Sequence, residues 1–136
     1  MLIGRYIYGK LSNDTGVSAL VEDRIYPVLL PMDEPYPSIV YTVTNEPLDN
    51  NAKQEKASYD RQIVTFHVWA DQSQGQQAYD DIDDIDAAIR EALDRVEDTV
   101  SGVTVEAAYY LGSQDGRDES RGLFLREIRY SITTRN

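Results

Sequence analysis

Between Tyr59 and Ala70 the chain reads YDRQIVTFHVWA, with Val64, Phe66, Val68 and Ala70 facing one way and Ile63, Thr65, His67 and Trp69 the other. A period-two pattern rich in β-branched and aromatic residues belongs to a strand. Both faces carry apolar side chains, which predicts a central strand covered on both sides, by helices or by another subunit. The period then changes. From Ala78 to Val96, the residues Tyr79, Ile82, Ile85, Ile89, Ala92, Leu93 and Val96 fall on one helical stripe. Ser73-Gln74-Gly75-Gln76 ahead of them has the form of a capping box. The predicted helix runs from about 74 to 97, on the order of 36 Å. A long strand feeding a long one-sided helix restricts the chain to layered folds in which that helix lies on a sheet.

The remaining segments fill in such a layer. Leu2, Ile3, Tyr6, Ile7 and Leu11 sit at helical spacing, a short amphipathic helix stopped at Asn13-Asp14-Thr15-Gly16. Asp14 or Thr15 can cap a second short turn carrying Val17, Leu20 and Val21. Arg24-Ile25-Tyr26 reads as a brief strand ended by Pro27, and the prolines at 27, 31, 35 and 37 make the next interval an extended connection. Residues 38–44 alternate as a strand that Pro47 ends. The polar run 48–57 predicts an exposed hairpin arm or loop, longer than a tight turn needs. Beyond Ser101-Gly102, a strand places Val103, Val105, Ala107, Tyr109 and Leu111 on one face. A second polar loop is expected from Gly112 to Gly122, then a final strand with Phe124, Ile128, Tyr130 and Ile132 on one side. The expectation is one α+β domain, 1–136. A mainly antiparallel sheet of about five strands carries a short N-terminal helix and one long amphipathic helix.

Charge excludes one large class of partners. A net charge of −11 with lysines only at 10, 53 and 56 leaves no basic stripe for neutralising phosphates. No apolar run approaches the roughly 18 residues of a membrane span. The start, Met1-Leu2-Ile3-Gly4-Arg5-Tyr6, lacks the basic region and apolar core of a signal peptide. With no cysteine there is no disulfide and no thiolate metal site.

Nothing in the chain assembles into catalytic chemistry. His67, the single histidine, sits mid-strand between Phe66 and Val68 and reads as structural. Ser38 and Ser131 are strand serines without a nucleophile elbow. The run Asp80-Asp81-Ile82-Asp83-Asp84-Ile85-Asp86 lacks the turn glycine and terminal glutamate of a calcium loop. Ile82 and Ile85 keep helical phase, so the carboxylates are expected to fan over a solvated face. No catalytic, cofactor or metal residue is assigned. The ten tyrosines, against two phenylalanines and one tryptophan, are more telling. Tyrosine suits half-buried sheet surfaces and is enriched at interfaces, and Tyr36, Tyr41, Tyr59 and Tyr110 are the candidate interface aromatics. Asp49, Asn50, Lys53 and Lys56 in the first polar loop, and Asp115, Arg117 and Arg121 in the second, are the candidate partner contacts.

The order of parts resembles the tail-completion or tail-terminator family of long-tailed bacteriophages. The resemblance runs from Val17-Ser18-Ala19-Leu20-Val21 into Arg24-Ile25-Tyr26-Pro27 and Pro35-Tyr36-Pro37-Ser38-Ile39-Val40-Tyr41. It continues in Val64-Thr65-Phe66-His67-Val68-Trp69-Ala70 before a helix and closes with Gly122-Leu123-Phe124 and Tyr130-Ser131-Ile132. It implies a non-enzymatic virion protein, assembled in the bacterial host cytoplasm. Such a protein forms a ring, commonly a homo-hexamer, that caps the tail tube and joins it to the head-tail connector. DNA passes through without being tightly bound, and no membrane is involved. The other readings are a different neck or connector adaptor, a small monomeric ligand-binding module, and a metal-dependent enzyme built on Asp80–Asp86.

Overall fold

The structure, a computed structural model, describes residues 3–30, 35–47 and 59–135. Helices α1 (Ile3–Ser12) and α2 (Thr15–Val21) lead into strands β1 (Ile25–Pro27), β2 (Ser38–Pro47) and β3 (Tyr59–Asp71). A 3-10 turn at Gln72–Gln74 precedes helix α3 (Gln76–Leu93), and strands β4 (Asp98–Val100), β5 (Val103–Asp118) and β6 (Leu123–Arg135) follow. The six strands form one sheet in the order β1-β2-β3-β6-β5-β4. β1 runs parallel to β2 and every other pair is antiparallel. The α+β class and the antiparallel character stand, with one strand more than expected and one parallel pair.

One face of the sheet carries α1, α2 and α3. Ile82, Ile85, Ile89 and Leu93 of α3 are fully or almost fully buried against Val64, Phe66 and Val68 of β3 and Ile128, Tyr130 and Ile132 of β6. Burying each such side chain stabilises by about 1.5–3 kcal/mol, so α3 is held by its stripe. Tyr6, Ile7 and Leu11 of α1 and Val17 and Val21 of α2 complete the same core. Asp14 caps α2, accepting from the Val17 amide at 3.0 Å.

Among the described residues, the opposite face is covered only at one end. There Leu30, Val40 and Leu123 are buried, with Tyr26, Tyr36 and Trp69 packed around them. Ile63, Thr65, His67 and Trp69 are therefore half-buried, while Val64, Phe66, Val68 and Ala70 are buried. β3 is central, but among the described residues its second face is only partly covered.

Four local expectations change. Ser73 does not cap α3: Asp71 accepts from the Ser73 amide at 2.9 Å, closing the 3-10 turn. Gly75 at φ 59 opens the helix without a side-chain cap. α3 ends at Leu93, about 27 Å long, because Asp94 returns to extended backbone and Arg95 turns at φ 61 into β4. In β5, register shifts between Val105 and Ala107 and between Tyr110 and Gly112 interrupt the ladder. The first turns Ala108 and Tyr110 inward and Ala107 and Tyr109 outward, inverting the alternation read from sequence, as a bulge does. Finally, Gly112–Asp118 is strand rather than loop, paired with Leu123–Arg129 of β6, and only 119–122 form the turn.

Candidate functional site

The acidic face of α3 meets the β5–β6 hairpin through one arginine. Arg126 is 12% exposed and lies among three carboxylates. Its Nη1 is 2.8 Å from Asp83 Oδ1 and 3.1 Å from Asp86 Oδ2. Its Nε and Nη2 donate to the two oxygens of Asp115 at 2.6 and 3.2 Å. Tyr79 Oη donates to Asp115 Oδ2 at 3.0 Å, and its ring packs on Phe124 at 5.5 Å. The hydrogen bonds from Arg126 hold the Asp115 carboxyl below the usual carboxylate range, against the opposing effect of burial. The same bond to Asp115 raises the Arg126 guanidinium, which stays charged. Asp83 and Asp86 thus do not simply fan into solvent: two of the five aspartates of the acidic run pin the hairpin to the helix. Among the described residues no three acidic or histidine side chains come together as metal ligands would.

The sequence alone does not single out Arg126. An aspartate-rich helix in a chain so short of cations calls for a counter-charge, but nothing local says which arginine supplies it.

The candidate contact residues scatter over the molecule. Asp115 and Arg117 lie on β5 and Arg121 in the turn beyond it, not in one loop. Asp49, Asn50, Lys53 and Lys56 fall outside the described residues. Tyr41 is 7% exposed and belongs to the main core. Tyr110 packs on Tyr130 at 5.7 Å, carries the Arg90 guanidinium 4.0 Å above its ring and donates its hydroxyl to Ser113. Tyr36 is packed against the small outer cluster. Of the four tyrosines, Tyr59, 41% exposed, is the one open to solvent.

Two further surfaces stand out. Val28 and Leu29 are 75% and 72% exposed, beside a cleft that also takes in Trp69, His67, Asp118 and Arg121. Val28 holds φ 65, a strained conformation for a β-branched residue. His67 pairs with Glu127, Nε2 to Oε2 at 3.7 Å, and stacks near Trp69. On the far side of the sheet, β4 pairs with only Val103–Val105 of β5. The Arg95 amide donates to the Ala108 carbonyl, and Asp94 accepts from the Tyr110 amide. From Leu111 to Asp118 the outer edge of β5 has no strand beside it among the described residues.

The sequence profile of the family described as "Tail completion protein gp17" matches residues 5–135. Among solved structures the fold is similar to a chain of the "Virion of native gene transfer agent (GTA) particle". The TM-score is 0.73 at 16% identity, over 96% of this chain and 92% of that one. No curated protein matches the sequence.

Proposed function

The chain belongs to the tail completion protein gp17 family and is a structural protein of the phage tail, and from that premise we propose that copies of it close into a ring at the head-tail junction. The ring caps the tail tube, joins it to the connector and lets DNA through. Six copies is the number the family resemblance implies. The observation that supports this reading is the edge of β5 from Leu111 to Asp118, which no strand joins among the described residues. A bare edge of that length offers a row of unpaired backbone donors and acceptors, a template for another chain. A head-to-tail interface repeated around a closed rotation covers every such edge at once. The edge is polar (Gly112, Ser113, Gln114, Asp115, Gly116, Arg117), which suits pairing by backbone bonds rather than by apolar burial.

In the same reading, Arg117, Arg121 and the segment carrying Asp49, Asn50, Lys53 and Lys56 meet the tube or the connector. Tyr59, and Tyr36 beside the small Leu30, Val40 and Leu123 cluster, belong to contacts between subunits. The negative charge keeps duplex DNA from adhering as it passes.

The test is to place proline singly at Ser113 and at Gln114. Backbone groups of neighbouring strand residues point to opposite sides, so one substitution breaks the β5–β6 ladder and lowers stability. The other removes only an outward N–H. Light scattering and negative-stain imaging, with and without tail tubes, are expected to show the stable variant as a folded monomer that leaves tails uncapped. Rings from both variants would remove the edge from the account.

A further inference from the structure

The two edges of the sheet are not equivalent. At the β1 edge the chain's own bonds occupy the backbone. The Arg24 carbonyl accepts from the Ile39 amide at 3.0 Å, and the Val28 amide donates to the Tyr41 carbonyl at 2.9 Å, so both residues turn their backbone groups toward β2. Neighbouring strand residues alternate in direction, which leaves Ile25 and Pro27 facing outward. The Ile25 amide already donates to the Asp23 carbonyl, Pro27 has no N–H, and the Pro27 carbonyl accepts from the Leu29 amide at 2.6 Å. β1 therefore offers a further strand no donor, and a neighbour's sheet cannot continue through it.

What that edge offers instead is side chains. The bond from Leu29 to Pro27 closes a three-residue turn around Val28 at φ 65, the rare and strained form of such a turn. The turn leaves Val28 and Leu29 exposed beside Thr42 and Trp69, on the face away from the helices. A β-branched residue held this way costs stability while two apolar side chains stand in water, and backbone strain of this kind gathers at functional sites.

The opposite edge carries a second apolar patch, Tyr109 and Leu111, 54% and 50% exposed. Tyr109 pairs with Ser131, which lies between buried Tyr130 and Ile132, so Tyr109 shares the face away from the helices. Among the described residues Val28, Leu29 and Leu111 are the exposed large aliphatic side chains. Residues 24–30 and 107–114, which contain the two patches, include no carboxylate. For a chain of net charge −11, these are segments on which two copies can meet without setting acid against acid.

We propose that the Val28–Leu29 turn of one copy packs on Tyr109 and Leu111 of the next, each subunit presenting a turn at one sheet edge and receiving one at the other. The two patches differ, so the contact is head-to-tail, and a rotation can repeat it into a closed ring. This rests on the ring reading above and names side chains that join its subunits. The strand that covers the β5 edge is then not the neighbour's β1.

The native chain has no cysteine, so introduced thiols report without background. The full chain carrying both Leu29→Cys and Leu111→Cys is treated with a short bis-maleimide linker in the presence of tail tubes, beside each single variant. Denaturing electrophoresis is expected to show a ladder of joined copies for the double variant and none for the single ones. Joining in Leu29→Cys alone would mean that the turn meets its own copy, and overturns the head-to-tail contact. Rings seen by negative stain without a ladder also overturn it and leave the ring standing. A native chain that stays monomeric with and without tubes overturns the ring, and this contact with it. Val28→Gly separates packing from folding. Glycine accepts a positive φ without strain, so the melting temperature is expected to hold or rise. The concentration needed for half-assembly is expected to rise about tenfold, roughly the loss of one buried apolar side chain. Assembly unchanged in Val28→Gly overturns the packing.

Discussion

Tyr6 of α1 donates its hydroxyl proton to Asp98 of β4 at 2.6 Å, across 92 positions of chain, and Lys10 donates to the other carboxylate oxygen. The first helix is thereby fastened to the far edge of the sheet by a strand of three residues. Burial acts to raise the Asp98 carboxyl, but the bonds from Lys10 and Tyr6 together outweigh it and hold the group below its ordinary 3.8. Burial, with help from Asp98, pushes the Tyr6 phenol far up, so it remains a donor.

Acid stability follows from that pair and from Asp115, which Arg126 likewise holds low. A carboxylate with a depressed folded pKa contributes all its stability above the unfolded value. That contribution is lost as pH falls through the folded value. Unfolding free energy from urea titrations is expected to be insensitive to these groups near neutrality and to decline below about pH 4. Asp98→Asn and Asp115→Asn are each expected to be less stable at neutral pH and to lose less on acidification. An acid limb unchanged in both variants would assign it to other carboxylates.

Arg126 is the costliest single charge to remove. Arg126→Ala strands Asp83, Asp86 and Asp115 together, two of them away from full solvent. Breaking a buried ion network from one side costs about 3–5 kcal/mol, and the partial exposure of Asp83 and Asp115 puts the expected loss near 2–4. Asp83→Asn, whose side chain is 59% exposed, is expected to cost under about 1 kcal/mol. Chemical denaturation of the two variants ranks them, and equal losses would show that the cluster is not held by Arg126.

The phase of α3 makes a sharper contrast. Ile89 is 0% exposed, whereas Asp84 points to solvent among like charges. Ile89→Asp is expected to cost several kcal/mol through an unpaired buried charge. Asp84→Ala is expected to be neutral or slightly stabilising. Thermal melts in the reverse order would contradict the helix phase.

Salt tests the ring. A hexamer multiplies the chain's −11 by six, and the screening length falls from about 30 Å at 0.01 M salt to about 10 Å at 0.1 M. If like charge opposes closure, oligomer measured by sedimentation rises with salt over that range. No DNA affinity is expected at low salt, where electrostatic attraction is strongest. Oligomer lost on adding salt would mean that opposite-charge pairs hold the ring.

What the sequence determined by itself is whatever repeats along one element. Ile82, Ile85, Ile89 and Leu93 recur with the helix, and Val64, Phe66, Val68 and Ala70 with the strand. Burying one member of either set therefore buries the rest, and all eight lie inside. The Asp14 cap is legible for the same reason, since its partner is three residues away. Only the tertiary structure decided what depends on distant backbone. Gly112–Asp118 has no apolar period and reads as loop. It is strand because β6 lies beside it along its whole length, and ladder bonds need only backbone groups. The register shift after Val105 leaves the alternation plausible on either side of it, so the inward turn of Ala108 and Tyr110 was invisible. Ser73 reads as the cap of α3, but the end of β3 sets Asp71 to accept from the Ser73 amide and close a 3-10 turn instead. Tyr41 reads like any sheet tyrosine until α1 closes over it: Gly4 lies against its ring, where a Cβ would stand 3.8 Å away. Arg126 draws Asp115 from 11 residues away and Asp86 from 40. A helix's buried face is written in the side chains along it, but a charge finds its partner only where the folded backbone brings the two together.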